Sequence, residues 1–255
     1  MIKLRILGCS GGIGGNARTT SMLLDHDVLI DAGTGVGDLS LSELSLIDHV
    51  FITHSHLDHI ACIPLLVDSV GFTRDTPLTI HATEATLEIL RQHIFNWKIW
   101  PDFSQIPSKQ QPLIRYSAIQ LGLPVELEAR RITALPANHT VPAVGFQIDS
   151  GAASLVFSGD TTTCDALWEE VNRIPNLRHL IIETAFCNAE KEIADMAKHF
   201  CASMLAEDLL KLKLNPEIYI THLKPGEVDL IMQEISECVH GFAPRMLQNG
   251  QVFEF

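Results

Sequence analysis

Apolar residues fall into short runs separated by glycine-rich or polar turns through the first third of the chain. IKLRIL (2–7), TSMLLD (20–25), DVLIDAG (27–33) and HVFITH (49–54) predict strands. IACIPLLVDSVGF (60–72) predicts a buried helix and PLTIHA (77–82) another strand. From Thr83 to Trp100 the apolar positions follow a helical spacing, with Thr83 suited to the N-cap and Pro101 placed to end or turn the helix. The second half repeats the order. Strands are expected at RRITALPA (130–137), AVGFQID (143–149) and ASLVFSGD (153–160), then a helix through CDALWEEVNRI (164–174). RHLIIET (178–184) and EIYITH (217–222) predict strands on either side of one long helix from about Ala189 to Leu214. A helix at EVDLIMQEISECV (227–239) and a strand at QVFEF (251–255) follow.

Strands first and helices after, twice over, suggests two sheets face to face with helices outside, a four-layer αββα sandwich of the α/β class. No linker, low-complexity tract or repeat interrupts it, so residues 1–255 are expected to form a single domain. At 46% hydrophobic residues and a mean hydropathy of +0.18, the composition suits a globular protein with a substantial core. No apolar run is long enough to cross a bilayer, and glycines interrupt MIKLRILGCSGG before any signal-peptide core develops. A cytoplasmic protein with no membrane partner is expected. The six cysteines are scattered without a C-x-x-C pair, which speaks against a disulfide framework. The formal charge of −13, with no Lys/Arg-rich run, argues against a partner as long and polyanionic as extended nucleic acid. A small anion at a local metal site is compatible with it.

The candidate chemistry is concentrated in THSHLDHI (53–60). A lone histidine is usually an ordinary core or surface residue. Four ligand-type side chains in six positions (His54, His56, Asp58 and His59) are not, and imidazole with carboxylate suits zinc, manganese or iron. His139 in LPANHT, Asp160 in FSGDTT and His222 in YITHLKP each stand just past a predicted strand. Ligands at strand ends gather at one sheet edge, where a shared site can form.

These elements, LIDAG around Asp31, THSHLDH, NHT, SGDT and YITH, resemble the metallo-β-lactamase superfamily over essentially the whole chain, in the same order. The resemblance implies the αββα fold with metals at the edge between the sheets. It implies that His54, His56 and His139 hold one metal, that Asp58, His59 and His222 hold a second, and that Asp160 bridges them. Two divalent transition-metal ions are therefore expected, zinc first, with manganese or iron as alternatives. Two metals about 4 Å apart can activate water and clamp phosphoryl oxygens, although lactam, thioester and sulfate chemistry could use a similar site.

Later motifs narrow the substrate. IIETAF with Glu183, followed by AKHF with His199, resembles the glutamate–histidine pair of the phosphodiesterase branch, which includes the tRNA 3′-processing nucleases. A carboxylate-held histidine is a sensible general acid for an alkoxide leaving group. HIFNWKIWPDF (93–103) resembles a segment of class II 3′,5′-cyclic-nucleotide phosphodiesterases, whose sequences share HLDHI and a DAGT turn. That resemblance implies a cyclic nucleotide as substrate, met by Asn96 and Trp100. Asp58 and Asp160 would hold the metals and orient the nucleophile, and His199 would protonate the departing 3′ oxygen, with Glu183 orienting it. Two features depart from the pattern: IACIP stands where a glycine usually follows, and SGDTTT replaces an SGDTGP-type loop. GCSGGIGG lacks the Gly-Lys-Ser/Thr of a P-loop and reads as a tight turn near the site. The alternatives are a tRNA 3′-processing nuclease or other phosphodiesterase of the fold, and a non-enzymatic metal-containing sensor. Homodimerisation is expected on the resemblance alone.

Overall fold

A computed structural model describes residues 2–255. Six strands build most of the first sheet: β1 (Lys3–Gly8), β2 (Ser21–Leu24), β3 (Val28–Ala32), β4 (His49–Phe51), β5 (Leu78–Ala82) and β6 (Ile114–Ala118). The second sheet holds β7 (Pro124–Leu127), β8 (Arg130–Pro136), β9 (Val144–Asp149), β10 (Ser154–Phe157), β11 (Leu177–Glu183), β12 (Glu217–Thr221) and β13 (Arg245–Met246). The last strand, β14 (Val252–Glu254), returns to pair antiparallel with β1.

Three apolar layers follow from side-chain alternation. In β10, Leu155 and Phe157 face the other sheet, while Val156 faces the helices. Ile181 in β11 and Tyr219 in β12 face inward in the same way, and their neighbours Ile182 and Ile220 face outward. Such strands are buried on both faces, which is why they read as continuous apolar runs. Leu4, Ile6, Ile30 and Phe51 of the first sheet complete the inner layer against Ile132, Phe146 and Ile148. Helix Cys62–Val70 covers the outside of the first sheet through Ile63, Leu66, Val67 and Val70. Helices Asp165–Val171, Ala202–Leu209 and Val228–Cys238 cover the second. The αββα sandwich is as expected.

Strands β3 to β6 are mutually parallel, and so are β10 to β13. In a parallel sheet every carboxyl end opens on the same edge, so the loops after β4, β10 and β12 can share a site.

Two helices differ from the sequence reading. The segment from Thr83 is α-helical only over Glu84–Ile89, with Thr83 Oγ1 accepting from Thr86 N at 3.3 Å as the cap. It widens into a π turn over Leu90–Ile94 and leaves helical geometry at Phe95, well before Pro101. The expected long helix 189–214 is two, Lys191–Ala197 and Ala202–Leu209. Lys198 ends the first with a left-handed backbone (φ 53°). β6, β7 and β13 were not anticipated; β6 and β7 are short and partly exposed, and β7 begins with Pro124 at a sheet edge, where a missing N–H costs no ladder bond.

Candidate metal centre

Both sheets contribute to one cluster. His54, His56, Asp58 and His59 follow β4, whereas His139 follows β8, Asp160 follows β10 and His222 follows β12. His54, His56, His139 and Asp160 form one group, and Asp58, His59, Asp160 and His222 a second that shares Asp160. In each, the candidate ligand atoms lie within 4.8 Å of one another. Asp160 Oδ2 is 3.1 Å from His222 Nε2, 3.3 Å from His59 Nε2 and 3.7 Å from His54 Nε2. Asp58 Oδ2 lies 3.6 Å from His59 Nε2 and 3.5 Å from His222 Nε2. His56 Nδ1 and His139 Nε2 are 3.1 Å apart. Atoms bound to a tetrahedral zinc at about 2.0–2.2 Å sit about 3.3–3.6 Å from each other, so the spacing suits a small divalent cation.

Hydrogen bonds behind the rings decide which nitrogen faces inward. Thr53 Oγ1 donates to Asp31 Oδ2 at 2.8 Å and so accepts from His54 Nδ1 at 3.0 Å. His59 Nδ1 donates to Asp31 Oδ2 at 2.7 Å, and His139 Nδ1 donates to the Lys198 carbonyl at 3.0 Å. Each ring therefore turns a bare Nε2 towards the centre. Those of His54 and His59 are buried and have no hydrogen-bond partner. Buried polar atoms are rarely left so, and bare imidazole nitrogens converging on a shared carboxylate are what a divalent cation requires.

The electrostatics agree for His54 and His139, whereas at His59 burial opposes the imidazolium but the Asp160 and Asp31 carboxylates outweigh it and raise the pKa well above the ordinary value, so a cation at its Nε2 would displace a proton. Burial, reinforced by neighbouring His59, holds His54 well below the ordinary imidazole pKa, and burial pushes His139 down to about 4. Both are thus neutral ligands at pH 7. For Asp160 burial works against ionisation, but the adjacent His222 and His59 hold its carboxyl well below the usual range.

Asp31 and two glycines were recognised in the sequence only as motif letters. Asp31 is fully buried with φ 56°, and its Oδ1 also accepts from Thr53 N at 2.8 Å, so one side chain orients both Thr53 and His59. His222 has φ 62° and donates its N–H to the Cys9 carbonyl. Gly11 lies against it: a Cβ there would be 2.4 Å from the His222 carbonyl oxygen. A Cβ on Gly33 would be 2.2 Å from the Asp58 carbonyl oxygen. The glycine-rich turn is thus a buttress for a candidate ligand. The sequence marks Asp31 and the Gly11 turn but not what they hold, because their partners lie 22 to 211 positions away, where no local pattern reaches.

Glu183 and His199 meet at the same edge. His199 Nδ1 donates to Glu183 Oε1 at 2.7 Å, and Glu183 also accepts from Thr161 N at 3.1 Å and Phe200 N at 3.4 Å. Burial disfavours the His199 imidazolium, but the Glu183 charge and hydrogen bond outweigh it and raise its pKa above the ordinary value. The His199 ring stands edge-on to His139 (4.8 Å between centroids) and to His222 (5.1 Å), so it borders both groups. The SGDTTT loop is tied in by Thr161 Oγ1, which accepts from Asn138 N at 2.9 Å.

Asn96 and Trp100 are placed otherwise. Asn96 Oδ1 accepts from Lys98 N and Ile99 N at 3.0 and 2.9 Å, and its Nδ2 donates to the Gln92 carbonyl at 2.8 Å. Its side chain organises its own turn. Trp100 packs on the outer core of the first sheet, with a buried Nε1 that has no partner.

The chain is similar to several known proteins. A family model described as a β-lactamase superfamily domain matches residues 26–229. A probable 3′,5′-cyclic-nucleotide phosphodiesterase of Yersinia pestis is 27% identical over 207 residues, covering 71% of this chain and 58% of that protein. A ribonuclease Z of Clostridium beijerinckii is 29% identical over 57% of this chain and 48% of its own, so the chain spans about half the length of these curated relatives. A 3′,5′-cyclic-nucleotide phosphodiesterase of Aliivibrio fischeri is 26% identical, covering 81% of this chain and 74% of its own. Unliganded yeast PDE1 superposes with a TM-score of 0.81 at 17% identity, covering 98% of each chain. The metallo-β-lactamase fold protein YhfI from Bacillus subtilis gives 0.78 at 22% identity, covering 99% and 98%. No helix is long and apolar enough to cross a membrane. With the matched model spanning most of the chain and the ligand groups standing at the shared sheet edge, the chain belongs to the β-lactamase superfamily and has the metallo-β-lactamase fold, with a His/Asp cluster fit to bind divalent metal.

Proposed function

We propose that the chain is a dinuclear metal-dependent phosphodiesterase that hydrolyses 3′,5′-cyclic nucleotides, cyclic AMP or cyclic GMP, to 5′-nucleotides. One observation carries the reading: a buried carboxylate-held histidine, His199 on Glu183 at 2.7 Å, beside the junction of the two ligand groups. Bond cleavage at phosphorus needs a nucleophile on one side and a proton for the leaving oxygen on the other. Only the second is a task for a side chain outside the ligand groups.

His54, His56 and His139 would hold one cation, and Asp58, His59 and His222 the other, with Asp160 between them. When bound, two divalent cations acidify water and offset phosphoryl charge. Asp58 has a side chain 30% exposed, against 3% for Asp160, so it is the carboxylate that can meet solvent and orient an incoming water. His199 would give a proton from Nε2 to the departing 3′ oxygen while its Nδ1–H stays on Glu183. That carboxylate favours the imidazolium from which the proton comes. Recognition of the nucleoside by the 93–103 segment belongs to the same proposal. Asn96 has one amide hydrogen left for it, and Trp100, whose indole N–H is buried, would offer the exposed part of its ring. Relatives named as cyclic-nucleotide phosphodiesterases support this substrate, and the one named ribonuclease Z supplies the competing one.

Dialysed protein reconstituted with zinc, manganese or iron, then assayed on cyclic AMP, bis-(nitrophenyl) phosphate and precursor tRNA, separates the readings. Turnover of cyclic AMP well above the generic diester supports the proposal. Processing of precursor tRNA with no turnover of cyclic AMP would overturn it.

A further inference from the structure

The distribution of positive charge adds a specificity element to the site. Among the described residues, every lysine or arginine is either ion-paired or exposed, with two exceptions, Lys198 and Lys224. Both are half-buried and neither has a carboxylate partner; Lys198 adjoins His199 in sequence, and Lys224 reaches its surroundings through the Phe186 ring. Lys198 precedes it in the left-handed backbone that separates the two helices. Its carbonyl holds His139 and its Nζ donates to Asn138 Oδ1 at 3.2 Å. Glycine or asparagine would take this backbone more readily, so the turn itself gives no reason for a lysine. Lys224 follows His222 by two positions, and its Nζ lies 5.2 Å from the centroid of the Phe186 ring. That ring is 5.8 Å from the His199 ring. Two cations thus flank the histidine from opposite neighbours, His139 on one side and His222 on the other, in a chain whose formal charge is −13.

We propose that Lys198 and Lys224 form an anion-recognition pair on the leaving-group side of the site, which among linear phosphodiesters favours those whose departing alcohol carries a phosphate of its own. This rests on the phosphodiesterase reading and on His199 as the donor to the departing oxygen. A scissile diester has one negative charge, which cations held by the two ligand groups would answer. A phosphomonoester adds nearly two at neutral pH, and two ammonium groups match them. The chemical step is unchanged: the oxygen of water bonds to phosphorus, the bond to the 3′ oxygen breaks, and that oxygen takes its proton from His199. The extra phosphate stays on the departing nucleoside.

The test compares adenylyl-(3′→5′)-adenosine with the same dinucleotide bearing a 5′-phosphate on the leaving nucleoside. Holoenzyme should favour the phosphorylated form in kcat/KM by roughly tenfold to a hundredfold, the range for hydrogen bonds to charged groups. Lys224→Met and Lys198→Met keep the apolar stem and should each shrink that ratio towards one, with Lys224→Arg restoring it. Melting temperatures establish that the variants fold. A second readout needs no turnover: calorimetric titration of the metal-loaded protein with adenosine 3′,5′-bisphosphate and with adenosine 3′-phosphate. The bisphosphate should bind more tightly to wild type, and the advantage should fall in both methionine variants. Equal binding of the two ligands by wild type, or equal turnover of the two dinucleotides, overturns the pair's role and leaves the phosphodiesterase standing. If no phosphodiester is hydrolysed but the bisphosphate preference holds and is lysine-dependent, the anion site stands and the phosphodiesterase reading falls.

Discussion

Glu183→Gln isolates the charge behind His199 while keeping the side chain's shape. Glu183 is fully buried and accepts from His199, Thr161 and Phe200. A glutamine carbonyl can still accept from two of these three, so the packing survives and the lost quantity is the carboxylate's charge. Hydrogen bonds to a charged group contribute about 1.5–3 kcal/mol, so proton donation by His199 should weaken by roughly ten- to a hundredfold. Complete removal in His199→Ala should cost the 10²–10⁴-fold typical of a general acid. The assay is kcat/KM on cyclic AMP beside bis-(nitrophenyl) phosphate, whose nitrophenolate needs no proton to leave. Both losses should appear on the first substrate and largely vanish on the second. In the double variant the glutamine should add little to His199→Ala, because a carboxylate acting through a histidine has nothing to act on once the ring is gone. An equal loss on both substrates, or full additivity in the double variant, with metal content and melting temperature unchanged, would remove His199 from the acid role.

Asp160→Ala should lower bound metal from about two ions per chain and remove most turnover, since this carboxylate faces both groups; elemental analysis showing two ions and normal rates would refute the bridging assignment. Asn96→Ala should lower the melting temperature by loosening the Gln92–Ile99 turn, with an effect on cyclic AMP that exceeds the effect on a base-free diester only if the turn touches the nucleoside. His81 is buried, stacks on Phe51 at 4.3 Å and shares a hydrogen bond with His49, and burial, with His49 beside it, pushes its pKa down to about 4. The unfolded chain binds this proton near pH 6.5 and the folded chain does not, so stability is fully present above that pH and is lost as pH falls towards 4. His81→Phe should recover about 1–2 kcal/mol of the stability difference between pH 7.5 and pH 5 in denaturant titrations; an unchanged pH dependence would show that the ring is not the source.

The parts that were legible in the sequence are those whose signal is local. Runs such as HVFI and LIIE show the two-sided burial of parallel strands, and the spacing of His54, His56, Asp58 and His59 is itself the geometry of a ligand loop. The long-helix reading of 189–214 failed at Lys198 because nothing local marks the break. KHFC contains neither glycine nor proline, and the left-handed turn is held by the Lys198 carbonyl to His139 and by Glu183 to His199 and Phe200. Those partners are 16 to 59 positions away. Local propensity and the site disagree here, and the site prevails, as is usual where function places the backbone. The turn at Asn96 did carry a local signal: asparagine side chains commonly bond the backbone two residues on, and that preference favours a turn over continued helix.

The edge where the candidate ligands gather has a consequence for how the molecule comes apart. Ligands after β4 belong to one sheet, and His139, Asp160 and His222 to the other. A cation held among them would be a cross-brace between two layers joined elsewhere by apolar contact and a few polar links, such as His222 N–H to the Cys9 carbonyl and Arg130 to Asp27. Its affinity for the folded chain then becomes resistance to unfolding, rising by about 1.4 kcal/mol for each tenfold increase in free metal above the dissociation constant. Amide hydrogens in the loops after β4, β8, β10 and β12 should exchange far faster when the brace is chelated away, and those in the middle of β11, between β10 and β12, which exchange through global unfolding, should speed up by the factor that the lost stability sets. The melting temperature of such a protein reads the metal concentration of its surroundings as much as its own sequence.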